Sequence, residues 1–421
     1  MRILFTLHNV ACKGGSERVV INLCNALCEI KGYEISIVSY YTDTSEKEPY
    51  AYPINPKVSA SYLHNFDDIH KGYRGLKRIL WRWIKPLVIN YRMNRYKDYD
   101  IIIESDFAFF YPRFRVKNTK YIKIVHSVIK KWKKKNNLFD CIVFLNEQEL
   151  LKWQKSSKHI VKIPNFIPIL PFEDTLPKVL ESFMKKDDID SNLHALIKSH
   201  YEDMLDKSFY NDTQRFIIAR SILKAWKLQN LDSNNPHTKH KLIAVGRMDA
   251  VNNHKGFPRL IDAYSKIAHK FPSWQLEIIG QDQGQKALLE KQILDLQMKD
   301  YILLKPFTSD MESVYLNADI FVMSSHTESM PMVLIEAASY GLPIVAYDIG
   351  TIRDCFHDNG ILVKDNDEKA FCKALSTLME NEEKRIIMGQ NSIKLAKDTF
   401  SKEQVLKQWL ELFQSLTHIK S

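Results

Sequence analysis

The stretch from Ile320 to Asp348, IFVMSSHTESMPMVLIEAASYGLPIVAYD, limits the possible folds more than any other part of the chain. Ile320–Ser324 is a short apolar run, the pattern of a strand buried on both faces of a parallel sheet. Pro331 suits a first helical position, where its missing N–H would be unpaired in any case, and Met332–Tyr340 continue as the helix. Gly341 ends it and Pro343 opens a second strand, Ile344–Tyr347. Two glutamates flank the junction, Glu328 in the loop and Glu336 in the helix. The helix N-terminus between them offers free N–H groups and a positive dipole end, which suit an anion. On spacing alone, the plainer reading is a buried strand–helix–strand unit with two solvated glutamates.

The rest of the chain repeats the alternation. Arg2–Leu7, Ile35–Tyr41, Val58–Leu63, Ile101–Glu104, Ile122–Val125 and Cys141–Leu145 read as strands, and Gly14-Gly15-Ser16-Glu17-Arg18 opens a helix with apolar positions Val19, Val20, Leu23, Ala26 and Leu27. A glycine pair there lets backbone approach a ligand, although it is not the G-x-G-x-x-G dinucleotide fingerprint. Strands alternating with helices predict a parallel sheet covered on both faces, with ligands beyond the carboxyl ends of the strands. His126 follows Ile122–Val125 at such an end; a structural histidine and a ligand contact are both open there. In the second half, Leu242–Val245 ends at Gly246-Arg247, and Lys255-Gly256 precede a helix expected over Phe257–Lys270. Arg247 and Lys255 thus bracket one strand-to-helix junction, a suitable place for a diphosphate. After Asp348, Gly350 offers a further backbone donor, and Phe400–Leu416 reads as a closing helix that starts with a Ser401/Gln404 capping box.

The string E-S-M-P-M-V-L-I-E-A-A-S-Y-G-L-P-I-V, from Glu328 to Val345, resembles the E-x7-E element of the retaining glycosyltransferases of family four. Gly14–Val19 is similar to the G-G-A-E-R-V of the same family, with Ser16 for alanine, and Pro164-Asn165-Phe166-Ile167 resembles the stretch that leads out of its first domain. The resemblance is strong over 241–416, fair over 1–30 and 120–168, poor over 42–100 and absent over 171–238. It departs from the common pattern at Ser329, where glycine is usual, and at Gln281, where an acid is usual.

What the resemblance implies is a GT-B fold: α/β, two Rossmann-like domains facing each other across a cleft. Expected domains are 1–168 on the acceptor side, a helical insert at 169–238, 239–400 for the nucleotide sugar, and a helix at 401–421 that crosses back. The implied reaction moves a hexose or N-acetylhexosamine from a nucleotide sugar, most simply a UDP-sugar, to a glycan or lipid-linked glycan with retention. The expected setting is cell-surface polysaccharide or glycolipid synthesis. Arg247 and Lys255 would hold the diphosphate, Glu336 the ribose, and Glu328 with the Ser329 and Met330 amides the sugar. Gly15 would lie along the donor phosphates and His126 would meet the sugar. No permanently bound cofactor and no metal are expected, because the chain shows neither a D-x-D element nor a His/Cys cluster.

Charge bears on partners. Residues 51–170 hold 24 Lys and Arg against 9 Asp and Glu, a net +15, whereas the other 301 residues hold 36 against 41, a net −5. Lys71–Lys97 contains nine Lys and Arg, no acid, and Tyr73, Trp81, Trp83, Tyr91 and Tyr96; Lys130–Lys135 adds K-K-W-K-K-K. Rings interleaved with cations suit an anionic membrane surface. A solvated helix face is the plainer reading, and nucleic acid is the third; no nucleic-acid motif accompanies the charge. The opening apolar run is too short for a signal peptide, no run is long enough to span a bilayer, and the six cysteines include no C-x-x-C pair. The expected location is therefore cytoplasmic, peripheral on the inner face of the cell membrane. The competing functions are an inactive GT-B partner of an active transferase and a GT-B phosphorylase or epimerase. Helices are expected at Leu176–Lys185, Leu193–Leu205 and Thr213–Lys227, with no motif to give them a role.

Overall fold

The computed structural model describes residues 1–12, 14–42, 50–65, 75–105, 110–157, 159–171 and 240–417. The three helices expected between Leu176 and Lys227 lie outside these residues. The chain divides into two compact units: Met1–Pro168 with Lys402–Ser421, and Ile169–Ser401.

Unit 1 is built on a parallel sheet of seven strands: β1 (Arg2–Asn9), β2 (Glu34–Thr42), β3 (Ser59–Asn65), β4 (Ile101–Ser105), β5 (Lys120–Val125), β6 (Cys141–Phe144) and β7 (Ile160–Lys162). The order is β3-β2-β1-β4-β5-β6-β7, so the direction of winding reverses between β1 and β4. Ile3, Leu4, Phe5 and Leu7 of β1 are all buried, as a strand covered on both faces requires. Helix α1 (Gly15–Leu27) buries Val19, Val20, Leu23, Cys24 and Leu27 at helical spacing. Helix α2 (Leu76–Met93) contributes Ile89 and Met93 to the core that contains Leu4, Val38, Ile102 and Ile142. Helix α3 (Glu147–Trp153) begins at Asn146, whose side chain accepts from the Glu149 amide.

Unit 2 carries a parallel sheet of six strands: β8 (His240–Val245), β10 (Trp274–Ile279), β12 (Ile302–Lys305), β13 (Ile320–Met323), β14 (Ile344–Asp348) and β15 (Gly360–Lys364). The order is β12-β10-β8-β13-β14-β15, and β9 (Met248–Asp249) pairs separately with β11 (Asp282–Gln283). The helices are α4 (Phe257–Ser265), α5 (Lys286–Asp295), α6 (Met311–Leu316), α7 (Met332–Ser339), α8 (Glu368–Glu380) and α9 (Glu382–Phe400). Helix α4 is shorter than its apolar pattern, which runs on into a separate turn of 3-10 helix at Ala268–Lys270. Winding reverses between β8 and β13, and a sheet of this kind binds ligands at the carboxyl ends of the strands at such a switch point. The final helix, α10 (Lys402–Thr417), belongs to unit 1, contacts α1 and buries Val405, Trp409, Leu412 and Phe413.

Among the described residues no helix is long and apolar enough to cross a membrane. Nor does any group of three His, Cys, Asp or Glu among them stand where it could hold a metal ion.

Candidate active site

Two loops meet at the switch point of unit 2. The first leaves β8. Gly246 lies against the end of β10, where Gly280 approaches so closely that a methyl group on it would stand 1.8 Å from the Gly246 carbonyl oxygen. The stem of Lys255 lies over Gly246, with Cε 2.7 Å from the place a β-carbon would take. Arg247, next in the chain, is exposed. Gly256 follows Lys255 at φ +63°, and a methyl there would stand 2.2 Å from the Ser324 carbonyl oxygen. The left-handed turn and the close contact both call for glycine.

The second loop leaves β13. Ser324 Oγ donates to the Lys255 carbonyl at 2.9 Å, which ties the two loops together. The Lys255 ammonium donates to Glu328 Oε1 at 2.7 Å, and Ser325 Oγ donates to the same oxygen at 3.0 Å. Thr351 Oγ1 donates to the Glu328 carbonyl at 2.6 Å and fixes its backbone from beyond β14. Ser329 and Met330 are buried and run into α7. Pro331 is not the first helical residue its chemistry suggested. It is the N-cap, extended at ψ 120°, because the loop enters from the strand side and only Met332 turns helical.

Glu336, one turn into α7, is also buried, and its Oε2 accepts from the Tyr315 hydroxyl at 2.7 Å. Tyr340 stacks on Tyr315 at 5.2 Å and keeps that ring in place. Neither glutamate is therefore a solvated surface carboxylate. Glu328 forms a part-buried ion pair, whereas Glu336 is held by a neutral hydroxyl. Two acids eight residues apart thus receive distinct chemical surroundings.

Arg259 is the residue that sequence reasoning missed. Its Nε donates to the Ser324 carbonyl at 2.7 Å and its Nη2 to the Ser325 carbonyl at 2.6 Å. Its Nη1 reaches Asp365 at 2.8 Å, and the guanidinium lies over the Tyr347 ring at 4.2 Å. One planar cation, four residues after Lys255 and in the first turn of α4, thus holds the loop that carries Glu328. Lysine cannot supply this fork of donors. Arg259→Lys is expected to lower stability by about 1–3 kcal/mol, read from urea unfolding, and to reduce turnover more than nucleotide affinity. Nearby, the His326 amide donates to the His254 carbonyl at 2.7 Å. Burial and then the Arg259 charge push the His326 pKa down. Gly350 is not a free donor: its N–H is taken by Asp348 Oδ1 at 2.8 Å.

The structure brings Lys255 and Glu328 into contact; Arg247, Ser329, Met330 and Glu336 lie in the same unit, on the loops after β8 and β13 and on α7. Gly15 and His126 belong to unit 1. Gly15 is the first residue of α1, exposed, with nothing within 4 Å of where its β-carbon would lie. His126 is half-buried directly after β5.

Residues 229–395 match the family model described as Glycosyl transferases group 1. That match lies within unit 2. An uncharacterized glycosyltransferase of Haemophilus influenzae is 24% identical over 97% of this chain and 98% of its own length. The amylovoran biosynthesis glycosyltransferase AmsD of Erwinia amylovora is 28% identical, over 44% of this chain and 51% of that protein. Among solved structures, HepE of Anabaena in complex with UDP superposes with a TM-score of 0.63 at 14% identity, covering 99% of this chain and 100% of that one. The fold is GT-B, built on two parallel α/β sheets of Rossmann type, and the protein is an enzyme, a retaining glycosyltransferase.

Proposed function

We propose that this glycosyltransferase moves a hexose or N-acetylhexosamine from a UDP-sugar to a glycan or lipid-linked glycan, in the synthesis of a cell-surface polysaccharide or glycolipid. The observation that carries the reading is the Lys255–Glu328 pair, 2.7 Å apart at the carboxyl ends of β8 and β13 and just before the start of α7. A cation and a carboxylate fixed side by side suit a ligand that joins an anionic diphosphate to a hydroxyl-rich sugar. UDP bound to the Anabaena HepE structure, and the capsular polysaccharide biosynthesis in the name of a Staphylococcus aureus relative, CapM, support the choice of donor and product class.

In this reading Arg247 and Lys255 take the diphosphate, together with the amides at the start of α7. One unit charge pair at 4 Å and an effective dielectric near 20 is worth about 4 kcal/mol before desolvation. That attraction grows as the bond from sugar to phosphate breaks and negative charge builds on the leaving group. Glu336 accepts from the ribose hydroxyls, and Glu328 with the Ser329 and Met330 amides accepts from and donates to the sugar. The bond from the anomeric carbon to phosphate oxygen breaks and a bond to the acceptor oxygen forms on the same face. The acceptor's proton passes to the departing phosphate. No protein nucleophile and no metal are needed, since the two cations carry the charge. We extend the proposal to Gly15 along the donor phosphates and to His126 as a contact of the donor sugar. Their support is position: a helix start and the carboxyl end of a parallel strand. An anionic membrane surface, met through Lys71–Lys97 and Lys130–Lys135, is the proposed partner on the acceptor side, which places the enzyme at the inner face of the cell membrane.

A ligand that binds only the folded protein raises its melting temperature. UDP and UDP-sugars are expected to do so for the wild type, by more than GDP or ADP. Arg247→Ala is expected to remove most of the shift. A shift with another nucleotide series would overturn the UDP assignment, and an unchanged shift in Arg247→Ala would overturn the diphosphate role.

A further inference from the structure

Helix α2 is amphipathic the wrong way round for water. Leu76, Leu80, Trp83, Leu87 and Tyr91 recur at spacings of four and three, so they form one stripe. That stripe faces outward: Leu76 is 84% exposed, Leu80 60%, and Trp83 and Tyr91 77% each. The inward stripe, Lys85, Ile89 and Met93, includes a lysine only 8% exposed, whose pKa burial pushes down to about 8. A soluble protein does not ordinarily present so many large side chains in one stripe to water. The charge on the helix is of one sign. The helix contains no acid, and exposed Lys77 lies on it.

The second basic run of the sequence comes to the same region. The Arg113 amide donates to Asn90 of α2 at 3.4 Å, and beside it Phe114 is exposed. Arg113 in turn lies close enough to Lys135 to disfavour its charge, as do Lys133 and Lys123, although burial is the largest cause of that lowering. The second basic run thus connects through Arg113 to buried Asn90, so cations gather in the same part of unit 1 as the apolar stripe, and an anionic, apolar-cored partner complements both. With eighteen residues, α2 is about 27 Å long at 1.5 Å per residue, and it is not apolar enough to cross a bilayer. Such a helix lies in the plane of the interface.

We propose that the outward stripe of α2 seats on the surface of an anionic lipid bilayer, its Leu and Trp side chains sunk at headgroup depth and the surrounding lysines and arginines on the lipid phosphates. The inference deepens the membrane-side partner of the proposed function: apolar insertion holds the protein there, and charge selects the lipid.

The test is sedimentation of the full chain with vesicles of phosphatidylcholine, with and without phosphatidylglycerol. The expected result is binding to the phosphatidylglycerol vesicles that survives added salt in part. A Leu80→Ser/Trp83→Ser/Leu87→Ser variant is expected to lose at least about tenfold in partitioning and all of the salt-resistant fraction. Its melting temperature without vesicles, and its shift with UDP, should match the wild type. Equal binding by the variant, or no binding by the wild type, overturns the proposal. So does a lower melting temperature of the variant alone, which would mean that the stripe is covered by this chain's own residues. A dimer that becomes a monomer in light scattering would assign the stripe to a second copy. Failure of the donor reading is separate, because it appears as no UDP shift whatever the vesicles do.

Discussion

Glu328→Gln is expected to lower turnover about a hundred- to a thousandfold, the scale for removing one preorganised polar contact to a reacting centre. The amide keeps the shape of the side chain and can still accept from Ser325 Oγ, now 3.0 Å from Oε1. What it loses is the charge that stands 2.7 Å from the Lys255 ammonium. Nucleotide binding should persist in the variant, because Arg247 and Lys255 remain and one fewer negative charge faces the diphosphate. Lys255→Met should be comparably slow, and the double variant much less than the product of the two, since both act through one pair. The checks are steady-state turnover and the UDP thermal shift of each variant. Turnover within about tenfold of the wild type, below the range just given, would remove Glu328 from the reaction. Loss of the UDP shift would instead make it a structural partner of Lys255.

Gly256→Ala should have the second largest effect, on stability and activity together. A left-handed conformation costs an L-residue about 1–2 kcal/mol, and forcing a methyl into packed backbone adds about 1–3 kcal/mol. Both apply, since φ is +63° and the methyl would stand 2.2 Å from the Ser324 carbonyl oxygen. The structure can relieve the clash only by moving the loop after β13 away from the loop after β8. That shift would draw Ser324 off the Lys255 carbonyl and Glu328 off the ammonium. The expected result is a lower urea midpoint for the transition that unfolds unit 2, with a fall in turnover in the folded variant. An unchanged midpoint would mean that the junction is far more pliant than its contacts imply.

Much of this architecture was legible before any coordinate. The apolar run Ile320–Ser324, the small residues of the next helix and Gly341-Leu342-Pro343 carry local signals, so β13, α7 and β14 stand where the pattern put them. Local chemistry misplaced Pro331 by one position, because the direction of chain entry, and not the missing N–H, decides where the first helical turn begins. Contacts between distant segments were not legible. Nothing in the spacing of Lys255 and Glu328, 73 residues apart, says that they touch. Arg259 reads as an ordinary helix-surface cation until Ser324, Ser325, Asp365 and Tyr347 close around it. Helix α2 shows the same limit: its composition indicated rings and cations, but not that its leucines face outward and one lysine inward.

The return of α10 to unit 1 has a bearing on how the protein is made. The α1 surface that it covers is synthesised at the very start, and its cover emerges from the ribosome only after every strand of unit 2. Domains usually fold as they emerge, the N-terminal one first. Here the first unit must wait with the face of α1 that the last helix contacts uncovered while the second completes itself. The nascent chain therefore has a defined interval in which that face is a natural docking place for a chaperone. Stop codons just before Lys402 should then give proteins whose second unit is sound and whose first is prone to aggregate.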